Sequence, residues 1–365
     1  MALKAGIVGL PNVGKSTLFN AITKQNILAA NYPFATIEPN LGTVVVPDYR
    51  LHELKRIYQP QQVLPTTFEF TDIAGLVKGA SAGEGLGNKF LSHIREVDAV
   101  CHVVRCFEDN NVIHVENGVD PIRDVEIVNL ELILSDLEII ENRLMRIEKK
   151  AYKMNDKLAI KEVQLLKEIQ AVLLNNKGAH TVKLDLESQK LIKGFNLITA
   201  KPVIYLANVQ EDDIVIENDY VKQLRIFAEK QGSEVIVISA KIESELAFLA
   251  DDDRQLFLED LGLNESGLDK VIKAAYHLLG LATYFTAGEK EVRAWTFLLG
   301  MKAPACAGII HSDFEKGFIK AEVISYEDLI KAGSEKLVKE MGRARLEGKD
   351  YVMQDGDICH FRFNQ

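Results

Sequence analysis

Six short apolar runs, at residues 5–9, 43–46, 67–72, 99–104, 202–207 and 234–239, alternate with segments whose apolar positions recur three and four residues apart. Such runs predict strands, and strands separated by helical patterns predict an α/β sheet covered on both faces. The fourth and fifth runs stand about a hundred residues apart, whereas a crossover needs about a dozen. Something is therefore inserted there. Its Leu130, Ile133, Leu137, Ile140, Leu144 and Ile147 form the seam of a coiled-coil-like helix. A patchier seam, Leu158, Leu165, Ile169 and Val172, follows a break at 152–156, which predicts an antiparallel helical hairpin. Beyond residue 240 an acidic helical stretch through Asp251 and Asp260 precedes a helix reaching about residue 281. The rest reads differently, with strand-like segments at 292–298, 308–311 and 319–324, a helix near 327–341, and final strands around Tyr351 and at 358–363. That mixture predicts a small α+β domain of its own.

With 365 residues, two or three domains are expected at ~150 residues each. The 47% hydrophobic and 26% charged residues exclude wholesale disorder. A net charge of -10 argues against a uniformly basic nucleic-acid coat, but the balance is uneven. From Glu141 to Lys177 nine basic residues face five acidic ones, which fits either a solvated helix face or a phosphate-binding arm. Cys101, Cys106, Cys306 and Cys359 form no Cys-x-x-Cys pair and have no ligand spacing with His, so reduced thiols in a cytoplasmic protein and no structural zinc are expected. The apolar start breaks at Pro11-Asn12, too soon for a signal-peptide core, and no apolar run is long enough to span a bilayer. No export, membrane association or lipid anchor is expected.

Chemistry concentrates after the first run. Gly9-Leu-Pro-Asn-Val-Gly14-Lys15-Ser16 fits G-x-x-x-x-G-K-[ST] between a strand and a helix, the P-loop context. The glycines would let backbone N–H groups curl around the phosphates, Lys15 would spread charge over the β and γ oxygens, and the Ser16 hydroxyl would ligate Mg²⁺. Asp72-Ile-Ala-Gly75 ends the third strand, where the carboxylate can hold a Mg²⁺-bound water and the Gly75 N–H can sense the γ-phosphate. Thr36, in the segment between these motifs, is the candidate for a second Mg²⁺-ligating hydroxyl.

At the base, Asn208-Val209-Gln210-Glu211 stands where translation-type GTPases carry Asn-Lys-x-Asp. That aspartate accepts hydrogen bonds from guanine N1–H and its 2-amino group, and adenine offers neither. Glu211 is one methylene too long to superpose on it, and Val209 replaces the covering lysine. ATP preference is expected, with adenine meeting backbone groups near Asn208 and Val209, and with Ser239-Ala240-Lys241 as the opposite wall. Leu76 stands where many GTPases place a water-orienting glutamine, so hydrolysis must use another group, a monovalent ion or a partner, or be slow. Asn12 is a candidate K⁺ ligand, and His114 a candidate to position water.

These strings, with Asn31-Tyr-Pro-Phe-Ala-Thr36-Ile-Glu-Pro-Asn40, Asp72-Ile-Ala-Gly75-Leu-Val-Lys-Gly-Ala80, Arg293-Ala-Trp-Thr296, His311-Ser-Asp-Phe-Glu-Lys-Gly-Phe318 and Asp355-Gly-Asp357, resemble the YchF, Obg-like ATPase family of TRAFAC-class P-loop NTPases over essentially the whole chain. The resemblance implies an α/β P-loop NTPase G domain over 1–280, with a six-stranded mostly parallel sheet and a helical coiled-coil hairpin inserted at about 125–200. A C-terminal α+β domain of β-grasp (TGS) type would follow over 281–365. It further implies phosphate contacts at Asn12, Val13, Gly14, Lys15, Ser16 and Thr17, Mg²⁺ on Ser16 and Thr36, ATP preferred over GTP, stimulation by K⁺, and binding to the ribosome, 70S and 50S, including rRNA. A monomer with no DNA partner is the default. Two alternatives stay open: a GTP-selective Obg-type switch, and a ribosome-binding scaffold whose ATPase activity is incidental.

Overall fold

The computed structural model describes residues 3–29, 41–73, 86–109, 112 and 118–364. Chain order begins β1 (Lys4–Val8), α1 (Lys15–Ala29), β2 (Leu41–Val45), α2 (Arg50–Tyr58), β3 (Gln62–Leu64), β4 (Thr67–Asp72), α3 (Leu86–Glu96) and β5 (Ala99–Arg105). It continues α4 (Pro121–Met154), α5 (Lys157–Leu174), α6 (Leu186–Lys193), β6 (Val203–Asn208), α7 (Asp219–Gln231), β7 (Glu234–Ile238), α8 (Ala240–Leu246), α9 (Asp251–Asp260) and α10 (Gly267–Leu278). The last elements are β8 (Leu281–Ala287), β9 (Glu291–Leu298), α11 (Ala303–Ile310), α12 (Ser312–Lys316), β10 (Phe318–Ser325), α13 (Tyr326–Ala332), α14 (Glu335–Glu340), β11 (Arg345–Glu347) and β12 (Asp357–Phe363). Two compact units emerge, one dominated by Glu69–Val271 and the other built from Thr43–Phe68 and Ile272–Gln365.

All six expected strands form one sheet, in the order β2-β4-β1-β5-β6-β7. Pairing of β1 with β4 and β5, and of β6 with β5 and β7, is parallel. Every residue of β5 is buried, as expected for a strand covered on both faces. The chain leaves β1 toward β4 on one side and reaches β5 on the other, so the crevice at the carboxyl ends of β1 and β5 is a topological switch point, where open α/β sheets bind ligands.

The insertion is an antiparallel helical pair. Ile133, Ile140 and Leu144 of α4 bury against Val163, Leu166, Ile169 and Leu173 of α5, and Arg143 pairs with Glu162 at 2.7 Å across the two helices. The expected break at 152–156 shrinks to two residues: Asn155 takes the left-handed conformation (φ 51) and Asp156 caps α5 by accepting the Leu158 and Ala159 N–H groups. Two seam residues fall outside the seam, Leu130 being 45% and Leu158 65% exposed. Leu158 sits in the first turn of α5, right after the connection between the two helices, and points its side chain to solvent.

The second unit carries a mixed sheet in the order β11-β10-β12-β8-β9-β3. Here three expectations need correction. Residues 308–311 are not a strand: they end α11, whose first turn contains Pro304 and whose body is alanine-rich, a strong helix context that the short Gly-Ile-Ile string conceals. The helix near 327–341 is two helices, broken where Gly333 adopts φ 76 and Ser334 starts α14 by accepting the Leu337 N–H. Tyr351 lies outside the strands; next to it Val352 makes an isolated bridge with Lys302. Strand β3, from early in the chain, pairs in parallel with β9, and Leu51 and Leu54 of α2 pack with Phe285, Val292 and Ile358.

Candidate functional site

The P-loop runs from the end of β1 into α1. Gly9 (φ 151) and Gly14 (φ 102) hold backbone conformations that L side chains rarely adopt. A Cβ would lie 2.5 Å from the Val103 carbonyl oxygen at Gly9 and 2.3 Å from Asn208 Nδ2 at Gly14. Both positions therefore require glycine on space and on φ alike. Asn12, also left-handed at φ 62, is exposed, as are Ser16 and Thr17 at the start of α1, while Val13 and Lys15 are buried.

Lys15 donates through Nζ to the carbonyl of Leu10, folding the ammonium back onto its own loop. Burial depresses its pKa to about 8, with Asp72 pulling it back up. Burial in turn raises the Asp72 carboxyl, opposed by Lys15, so the two groups sense one another. His102 lies buried on β5, and burial, aided by Lys15, pushes it down to about 3, so it is neutral. The exposed Ser16 hydroxyl at the start of α1 and the Asp72 carboxylate, which interacts with the neighbouring Lys15, are hard oxygen donors of the kind that Mg²⁺ takes. Thr36, Gly75 and His114 lie outside the described residues.

Beyond the phosphate loop opens a cavity of about 770 Å³ that brings Asn12, Gly14, Thr17, Asn208, Val209, Glu211, Ser239 and Ala240 onto one wall system. Asn208 holds it together: its Nδ2 donates to the Val13 carbonyl at 2.8 Å and its Oδ1 accepts the Ala240 N–H at 2.9 Å. Its amide thus ties the P-loop to the Ser239-Ala240 turn. Val209 is 3% exposed and its N–H donates to the Ile238 carbonyl at 2.9 Å. Glu211 accepts the Lys241 ammonium at 2.8 Å, so the lysine of Ser239-Ala240-Lys241 neutralises the carboxylate at the guanine-reading position.

Sequence reasoning missed the far wall, formed by Phe107, Asp109 and Val112. Arg105, 2% exposed at the end of β5, fixes it by donating to the carbonyls of Phe107 (3.1 Å), Val112 (3.0 Å) and Asp109 (3.2 Å). Gln210 Nε2 adds a bond to the Glu108 carbonyl at 2.7 Å, and the Tyr220 hydroxyl donates to the Glu108 carboxylate at 2.7 Å. An arginine closing the apolar string Ala-Val-Cys-His-Val-Val-Arg was the available signal. Glu243 stands behind the Ala240 turn, accepting the Gly267 N–H at 2.8 Å, and burial raises its pKa to about 7. All four cysteines are buried free thiols, and burial pushes Cys101 and Cys306 up to about 12, the opposite of a reactive thiolate.

Residues 4–143 match a family model described as "50S ribosome-binding GTPase". Residues 281–364 match the YchF-type C-terminal model, described as a protein of unknown function (DUF933). Full-length similarity reaches 60% identity with the "Ribosome-binding ATPase YchF" of Bacillus subtilis and 56% with that of Haemophilus ducreyi, each alignment covering 100% of both chains. The solved structure of the Schizosaccharomyces pombe YchF GTPase superposes with a TM-score of 0.89 at 41% identity, covering 99% of this chain and 97% of that one. A GTP-binding protein from Pyrococcus horikoshii shares the fold at TM-score 0.62 and 22% identity. With the P-loop, the Asn-x-x-Glu turn and both family models in place along its length, this chain belongs to the YchF family of P-loop NTPases.

Proposed function

We propose that the chain is a ribosome-binding ATPase: it binds ATP with Mg²⁺ in the 770 Å³ cavity and hydrolyses it slowly. The observation that carries the base choice is the Lys241–Glu211 pair. Guanine needs a free carboxylate in its plane, and this one is engaged while Val209 supplies no covering ammonium. Adenine's 6-amino group needs only an acceptor, a role we assign to backbone groups near Asn208 and Val209. The relatives' names divide between ATPase and GTPase, so direct competition of ATP and GTP by calorimetry is the deciding experiment. Clear GTP preference would overturn the assignment.

In the reaction, Lys15 leaves Leu10 for the β and γ oxygens, regaining a full positive charge as the phosphates offset its desolvation. Ser16, Asp72 through a water, and Thr36 are the residues that would hold Mg²⁺, which would supply charge neutralisation at the transferred phosphoryl group. Gly75 N–H is assigned to the γ-phosphate and His114 to the attacking water, with K⁺ at Asn12 as activator.

For the ribosome, the support is the arm. Lys149, Lys150, Lys153 and Lys157 are exposed beside Tyr152 and Met154 at the hairpin end, and these four lysines carry no ion pair among the described residues, whereas Arg143, Lys161 and Lys167 are paired. Unpaired lysines around an exposed aromatic suit an rRNA backbone. Replacing Lys149, Lys150 and Lys153 by Glu should weaken co-sedimentation with 50S and 70S particles and flatten its salt dependence; unchanged binding across salt would clear the arm of that role. The proposal includes a monomer acting in the cytoplasm, with the nucleotide part over 1–280 and the TGS part over 281–365. No helix among the described residues is long and apolar enough to cross a membrane.

A further inference from the structure

We infer that α4 is a lever coupling nucleotide occupancy to the arm, with Arg95 as the positioning residue at its fulcrum. The inference rests on the reading that the cavity binds a purine nucleotide. The first turns of α4 pack behind the cavity, Ile122 and Val125 sharing one apolar cluster with Cys106 and with Val209, which lines it. On the cavity side Arg105 anchors Phe107, Asp109 and Val112, and at the start of α4 Arg123 Nη2 donates to the Gly118 carbonyl at 2.6 Å while Asp120 caps the helix by accepting the Arg123 N–H at 3.0 Å. The helix then runs 34 residues to Met154 with proline only in its first turn and no glycine. At ~1.5 Å per residue that is a rod of about 50 Å, with no cause for a kink.

Near its middle the rod is pinned by polar contacts where an apolar seam would have sufficed. Asp136, 0% exposed, accepts the N–H groups of Ile198 (3.0 Å) and Thr199 (2.8 Å), the Thr199 hydroxyl (2.8 Å) and Arg95 Nη1 (3.2 Å). Arg95 also donates to Ser135 Oγ at 2.6 Å and to the Asn196 carbonyl at 3.1 Å. It belongs to the last turn of α3, whose terminal carbonyls of Ile94 and Arg95 accept Lys201 Nζ at 2.9 and 2.6 Å. Three separate segments thus meet on one carboxylate.

A buried ion pair is poor evidence for stability. Its four donors instead impose one geometry, which apolar packing does not. With position 136 fixed, a shift of the cavity wall at one end swings the other end the opposite way over a comparable length. By linkage, whatever binds the far end changes nucleotide affinity by the same factor that the nucleotide changes its own.

The test uses the full chain labelled with nitroxides at Lys153→Cys and Lys230→Cys, the native cysteines being buried. The distance distribution is read by electron–electron double resonance with and without nucleotide, while calorimetry measures binding in the same samples. The parent should show a nucleotide-dependent shift. Arg95→Gln should abolish it while binding persists, since Asp136 keeps its three other donors, and Arg95→Lys should restore part of it. Should Arg95→Gln not fold, Ser135→Ala removes one fulcrum bond and should reduce the shift. No shift in a parent shown to bind nucleotide, or an equal shift in the variants, would overturn the lever. If calorimetry finds GTP in place of ATP, the base assignment fails and the same labels read the GTP-dependent shift.

Discussion

The two ends of the nucleotide cavity are built on opposite plans. At the base end the polar groups are already engaged with one another: Asn208 with Val13 and Ala240, Glu211 with Lys241, Gln210 with Glu108, and Arg105 with three carbonyls. At the phosphate end Ser16 and Thr17 are exposed and Lys15 is parked on Leu10, a buried cation whose desolvation Asp72 offsets only in part. On the proposed reading, selectivity would rest on a wall formed before any ligand arrives, which rejects groups that cannot match it. Among the described residues the phosphate end presents exposed hydroxyls and one buried ammonium to the substrate's charge.

The sharpest way to break this contrast is at Lys15. Lys15→Met should lower the rate of phosphate release by at least about 100-fold. The nucleotide-free melting temperature should not fall, since a buried, pKa-depressed ammonium is removed; a large loss of stability would show that Lys15 is structural. Asn208→Ala should act at both ends together. Two buried partners lose their bonds, costing about 2 kcal/mol, so ATP affinity should drop about thirtyfold; loss of selectivity without loss of affinity would contradict its role as a tie.

Glu243 tests the backing of the base end through pH. Its folded pKa, about 7 against the ordinary 4.5, lies above the unfolded value, so the native state binds the extra proton between them. Stability from this group is therefore present below about pH 4.5 and is lost as pH rises to about 7. Glu243→Gln should flatten that stretch of the melting-temperature profile by a few degrees, whereas an unchanged slope would assign it to other carboxyls. The smallest effect belongs to the exposed Lys241–Glu211 pair. Lys241→Met frees the carboxylate and should raise the GTP to ATP affinity ratio by no more than about fivefold; no rise in GTP binding would remove the pair from base selection.

How legible these features were in the sequence follows from their range. The P-loop could be read because its chemistry is compressed into eight consecutive residues and both φ-positive glycines lie among them. Asn208 could be singled out by type, but its partners lie 195 and 32 residues away, and no local pattern discloses that the amide is used up in joining loops. Asp136 did leave a trace, standing three residues after Ile133 and four before Ile140 on the buried stripe of α4, where a carboxylate is expensive without partners. Strand β8 is missing from the expected strands although its Thr, Tyr and Phe favour one, and α11 is harder because a short apolar string of Ala, Gly and Ile is compatible with either period.

The pairing of β3 with β9 has a consequence for how the chain is made. Gln62 meets Glu291 across 229 residues, and Leu51 and Leu54 of α2 find their core only with Phe285, Val292 and Ile358. At 5–20 residues per second of synthesis, those early apolar side chains wait roughly 10–60 s for the partners that cover them. The second unit is therefore the last to close although part of it is among the first to emerge. A chain stopped near residue 280 would retain α2 and β3 with a bare edge and an uncovered face, inviting aggregation instead of yielding a trimmed ATPase.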